Sequence, residues 1–151
     1  MANLVKSFLS KQDLKDIAQA IKETEQRTSG EIRVGIRQKR TKKDKSLSVE
    51  HLARKEFVHL GMMKTKERTG ILIFLLLESR EFYILADEHI NQKVAPRSWD
   101  SVAETMATKF AKKEFRQGLL HAIRSVGEHL ATHFPAKPGD KNELSDEVDI
   151  S

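Results

Sequence analysis

The stretch Ile71 to Leu77 is apolar at every position and is closed abruptly by Glu78 and Arg80. It is far shorter than the roughly 20 residues that span a bilayer, so it is not expected to cross a membrane. An unbroken apolar run of strand length instead marks a strand covered on both faces, in the interior of a sheet flanked by helices. That one feature confines the chain to an α/β arrangement, and the flanking sequence supplies the parts.

Ahead of this run, Ile32, Val34 and Ile36 alternate with Arg33, Gly35 and Arg37, the period of a strand with two unlike faces. Ser48 is placed as an N-cap, and Val49, Leu52, Ala53, Phe57 and Leu60 form a helical stripe that Gly61 ends. Strand, helix and strand predict a parallel βαβ crossover. After the apolar run, a short Ser79-Arg80 turn leads into Glu81 to Ala86, which must then be an antiparallel neighbour, so the sheet is mixed.

Three further helices are predicted. Ser10 and Asp13 have capping-box spacing ahead of Leu14, Ile17, Ala18 and Ile21, giving a helix over about Lys11 to Arg27. Trp99, Val102, Ala103, Met106 and Phe110 share one helical face, and Phe115, Leu119, Ile123, Val126, Leu130 and Phe134 share another. The fold class that follows is α/β, a three-layer α/β/α sandwich around a small mixed sheet.

Residues 1–135 read as a single domain, because 151 residues suit one core better than two. Residues 136–151 read as an acidic, loosely docked or mobile tail. Two lysines against five acids after Pro135 leave that tail at −3, so the rest of a chain of net charge +5 carries +8. There is no cysteine, which excludes disulfides, thiolate metal sites and a cysteine nucleophile. The N-terminal residues lack the apolar core of a secretory signal, so a cytoplasmic location is the expectation.

Parallel first and second strands with a reversed third bring three segments to one edge of the sheet. They are the start of the first strand (Ser29, Glu31), the lead-in to the second (Arg68, Thr69) and the exit of the third (Asp87, Glu88). Carboxylate and hydroxyl oxygens of this kind suit calcium or magnesium. The competing reading is that Arg68 simply pairs with Glu31 or Asp87 and that no metal is involved.

Other constellations carry less. His129 and His133 lie one helical turn apart but lack the HExxH pattern and a third ligand, and His133 falls near the apolar stripe. The basic segment Gln38 to Ser46 has no interleaved aromatic for base stacking and reads as a solvated loop, so nucleic acid is not the expected partner. Walker, GxGxxG and GxSxG motifs are absent.

The ordered set Thr28-Ser29-Gly30-Glu31-Ile32-Arg33-Val34, Leu60-Gly61-Met62, Lys64-Thr65, Arg68-Thr69-Gly70-Ile71-Leu72-Ile73 and Asp87-Glu88-His89-Ile90 resembles the TPM domain family, formerly a domain of unknown function. Trp99, Phe115 to Leu119, Phe134-Pro135 and Asn142 to Val148 look like that family's later signatures, so the resemblance spans nearly the whole chain. The sequence looks like the short, unanchored bacterial branch. It departs at His89 and Lys113, where relatives usually have glycine, and at Ser145, where they usually have proline.

The resemblance implies the same α/β/α sandwich and divalent-cation binding. Carried over residue by residue, it gives Glu31, Asp87 and Glu88 as metal ligands, with Ser29 and Arg68 as supporting polar groups, which Thr69 joins from its place at the lead-in to the second strand. It also implies a role in protein maintenance or assembly through partner proteins that the sequence does not identify. A plant relative with weak acid phosphatase activity makes a metal-dependent phosphatase the alternative, and the basic body makes a nucleic-acid or anionic-surface binder the second alternative.

Overall fold

In the computed structural model of the protein, residues 4–139 and 144–151 are described. The first helix, α1 (Lys11–Glu25), opens with the expected capping box: the Ser10 hydroxyl accepts the Asp13 N–H at 3.0 Å, and the Asp13 carboxylate accepts the Ser10 N–H at 2.8 Å. The helix stops two residues before the predicted Arg27. There the N–H groups of Gln26 and Arg27 bond back to Glu23 and Thr24, which tightens the last turn.

Strand β1 (Glu31–Arg37) follows, then α2 (Val49–His59), then β2 (Gly70–Leu76). The two strands run parallel with Glu31 opposite Gly70 and Arg37 opposite Leu76, as the crossover requires. Ser48 caps α2 by accepting the His51 N–H at 3.1 Å, and Gly61 ends it in the left-handed region, at φ 74°, where glycine has no Cβ penalty. β3 (Glu81–Ala86) returns antiparallel to β2, with Ile71 opposite Ala86.

All seven residues of β2 are buried, and they alternate between two cores. Ile71, Ile73 and Leu75 pack with Ile32, Val34 and Ile36 of β1 against α1, α4 (Ser98–Ala111) and α5 (Phe115–His133). Leu72, Phe74 and Leu76 pack on the opposite side against Leu52, Ala53 and Phe57 of α2. This is the three-layer sandwich, and a strand so placed contributes roughly 1.5–3 kcal/mol for each large side chain it buries.

Three features lie outside the sequence expectation. A six-residue helix, α3 (Glu88–Lys93), follows β3; it is too short to show an apolar stripe. The basic segment after β1 is pinned by Asp44, which is buried and takes Arg37 and Lys55, each at 2.8 Å, and the Thr41 hydroxyl at 2.9 Å. The end of the tail is ordered against the sheet, where Asp149–Ile150 forms β4, parallel to β1, in the strand order β3-β2-β1-β4. The Ser151 N–H bonds to the Ile36 carbonyl at 2.8 Å, so backbone pairing, which needs no apolar signature, holds it there.

Among the described residues no helix is long and apolar enough to cross a membrane.

Candidate functional site

The three segments expected at one sheet edge do meet. The Glu31 N–H bonds to the Thr69 carbonyl at 3.1 Å, and the Asp87 N–H bonds to the Gly70 carbonyl at 2.9 Å. Their side chains, however, divide into two clusters.

In the first cluster Arg68 grips Asp87 with a two-pronged fork, Nε to Oδ2 at 2.8 Å and Nη2 to Oδ1 at 2.7 Å. Asp87 is 4% exposed and also accepts the Glu88 N–H at 2.7 Å as the N-cap of α3. Glu88 lies farther out, 3.8 Å from Arg68, and is mostly exposed. Asp87 therefore has three donors on its two oxygens, which satisfies a buried carboxylate without a metal. Arg68 holds φ 56°, a left-handed backbone that turns its side chain into this pair.

In the second cluster Glu31 is 5% exposed, and its Oε1 accepts the Leu144 N–H at 3.0 Å. With Ser29, Thr28 and Gly30 it lines a groove of about 380 Å3, whose other walls include Glu25, Lys22, Lys137 and Asp146. Thr28 donates its hydroxyl to the Phe134 carbonyl and accepts the Gly30 N–H at 3.0 Å, so the floor of the groove is tied to the end of α5. Thr69 is buried and serves through its backbone carbonyl to β1.

Glu25 and Asp146 were not singled out by sequence. Glu25 stands in the last turn of α1, where its Oε2 accepts the Ile32 N–H at 2.8 Å. Burial raises its pKa to about 9, and a hydrogen bond with Asp146 and the charges of Asp146 and Glu31 push the same way. At neutral pH Glu25 therefore keeps its proton, next to its hydrogen-bond partner Asp146. A signal for it did exist: Glu25 is four residues after Ile21 and continues the spacing of Leu14, Ile17 and Ile21. Asp146 lies in the acidic tail, where nothing in the local pattern points back to α1.

A second pair of the same kind lies on the other face of the sheet. Glu56 of α2 is buried, and burial raises its pKa, reinforced by the charge of Asp149 in β4 and opposed by Arg37.

The histidines contribute no metal set. His129 is half-buried with its ring 5.4 Å from that of Trp99, and His133 is exposed rather than set against the apolar stripe. Among the described residues no group of three His, Cys, Asp or Glu side chains stands ready to hold a metal ion. The groove gathers Glu25, Glu31 and Asp146 together with Lys22 and Lys137.

A TPM domain family model matches residues 5–129. The NMR structure of the BA42 protein from the psychrophilic bacterium Bizionia argentinensis superposes with a TM-score of 0.86 at 33% identity, covering 95% of this chain and 96% of that one. The N-terminal domain of a P. gingivalis protein superposes with a TM-score of 0.66 at 15% identity, covering 84% and 79% of the two chains. The N-terminal domain of a Corynebacterium glutamicum protein gives 0.62 at 14%, covering 82% and 75%. The latter two likenesses are of fold alone. No curated protein matches the chain. The family match over most of the sequence, together with the BA42 superposition, shows that the chain belongs to the TPM domain family.

Proposed function

We propose that the protein is a divalent-cation-binding TPM domain that takes calcium or magnesium at Glu25, Glu31 and Asp146, and that it serves protein maintenance or assembly by contact rather than by catalysis. The observation that carries this reading is geometric: Glu25, Glu31 and Asp146 line one groove, where burial, with the acidic neighbours adding to it, raises the Glu25 pKa to about 9. A dication entering among three acids takes the place of the proton that burial and the neighbouring carboxylates leave on Glu25. The donors are all oxygens, which suits calcium and magnesium better than zinc. Asp87 and Glu88, expected as ligands beside Glu31, stand against Arg68, and we assign them to holding the strand ends together. In the phosphatase reading Arg68 is the phosphate clamp, yet its Nε and Nη2 are both given to Asp87.

The test is a calcium and magnesium titration followed by amide NMR. Shifts are expected near residues 25, 31 and 144–146, with affinity rising with pH because metal and proton compete. Glu25→Gln and Asp146→Asn should each weaken binding about tenfold or more, while Asp87→Asn leaves it near wild type. Localised shifts that survive Glu25→Gln and Asp146→Asn, or no localised shifts at all, would sink the proposal.

A further inference from the structure

At the opposite end of the sheet, where the β2–β3 hairpin meets α4 and α5, lies an apolar cavity of about 240 Å3. Four of the chain's seven phenylalanines line it: Phe8, Phe82, Phe110 and Phe115. Their rings form a contact chain, with Phe8 to Phe115 at 4.6 Å, Phe115 to Phe110 at 5.6 Å and Phe110 to Phe82 at 5.8 Å between centroids. None of the four is fully buried, although each packs against the main core. Gly118 helps to make this possible, since a Cβ there would stand 2.6 Å from the Phe110 ring.

The rim is cationic. Arg80 lines both the cavity and the adjoining recess, and Lys113 lines the recess. Both are exposed, and among the described residues neither side chain forms an ion pair or hydrogen bond. The acids that line the cavity and the recess are Glu81, held by the Ser79 hydroxyl at 2.6 Å and by Arg40 at 3.4 Å, and the exposed Glu78, while Glu114 follows Lys113 in the chain.

Arg80 and Lys113 also hold left-handed backbone, at φ 55° and 63°. Glycine would relax both positions, whereas a residue with a Cβ is strained there by about 1 kcal/mol. The local turns call for this backbone, the hairpin at Arg80 and the end of α4 at Lys113, where the Lys113 and Glu114 N–H groups bond back to Phe110 and Lys109. They do not call for an unpartnered cation in place of glycine, one on the aromatic cavity and one on the recess beside it.

We infer that this cavity binds a small amphipathic monocarboxylate, with its apolar body among the phenylalanine rings and its carboxylate against Arg80 and Lys113. An apolar cavity of about 150 Å3 takes benzene, so this one suits a body of roughly ten heavy atoms. The charged end meets donors only at the rim, which fixes the ligand's direction. The site is distinct from the acidic groove and does not depend on cation binding there.

The test uses octanoate, with octanol as its uncharged counterpart, titrated into the full-length protein and followed by amide NMR. Octanoate should shift resonances near residues 8, 77–82 and 107–119 and bind about tenfold more tightly than octanol. The double variant Arg80→Gln with Lys113→Gln should bring that ratio to about one, and Ala107→Phe, at an exposed lining position, should abolish both bindings. Lys113→Gly should raise the melting temperature while weakening octanoate, which shows that the lysine is there at the expense of the fold. Equal binding of octanoate and octanol to the wild type, shifts scattered over the surface, or octanoate binding unchanged in the folded Ala107→Phe protein would overturn the inference.

Discussion

Glu25 occupies a helix position that faces the protein interior, and it accommodates burial by keeping its proton. Its pKa of about 9 lies above the roughly 4.3 of an unfolded glutamate, so the folded state binds the proton more tightly. Its contribution to stability is complete below about pH 4.3 and is lost as pH rises through 9. Glu56, raised in the same direction, adds a slope of the same sign. Urea unfolding at pH 5, 7 and 9 should show stability falling with pH, and Glu25→Gln should flatten part of that fall, with a gain of about 1–3 kcal/mol over wild type at pH 9. Asp87 meets burial differently, by having both of its oxygens partnered. Asp87→Ala removes the Arg68 fork and the α3 cap together, and equilibrium unfolding should register a loss of about 2–4 kcal/mol.

Between elements, α1 and α5 come into close contact at Gly127. Gly127 faces Thr24, whose Cγ2 lies 2.1 Å from where a Cβ on residue 127 would sit. Thr24 is buried, so neither partner can move aside into solvent. Alanine is a better helix former than glycine by about 1 kcal/mol, yet Gly127→Ala should still destabilise by about 1–3 kcal/mol, because the overlap outweighs propensity. Adding Thr24→Ser removes the clashing methyl and should recover much of the loss. A double-mutant cycle by thermal unfolding checks this, and additive losses would mean that the helices separate elsewhere. The same contact explains why α1 is held where Glu25 can reach β1.

At the scale of the whole molecule, the last residues close both the sheet and the acidic groove. β4 pairs with β1, the Gln38 N–H bonds to the Ser151 carbonyl at 2.9 Å, and the Leu144 N–H bonds to Glu31. Burial is the first cause of the raised pKa of Glu25 and Glu56, and Asp146 and Asp149 add to it. Deleting residues 144–151 should therefore do three things at once. Amide exchange at Gln38 should accelerate, the Glu25 pKa should fall toward the ordinary glutamate range, and calcium should no longer shift the groove resonances. Hydrogen exchange and a carboxyl NMR titration read the first two. Unchanged exchange at Gln38 would show that the tail does not hold the edge of β1.

What the sequence determined by itself was local and periodic. The unbroken apolar run of β2 required cover on both faces, the alternation in β1 set which side met which core, and Ser10, Ser48 and Gly61 bounded their helices, because these signals act over a few neighbouring residues. The meeting of β1, Arg68 and Asp87 at one edge was legible too, since strand direction follows from connection length. Two things were decided only in three dimensions. One is α3, too short for its spacing to register. The other is the junction of Glu25, Glu31 and Asp146, which depends on a tail whose two-residue strand is held by backbone hydrogen bonds. Those bonds are the same for any side chains, so no residue pattern announces them, and the part that Asp146 adds to the raised pKa of Glu25 depends on where the tail is placed.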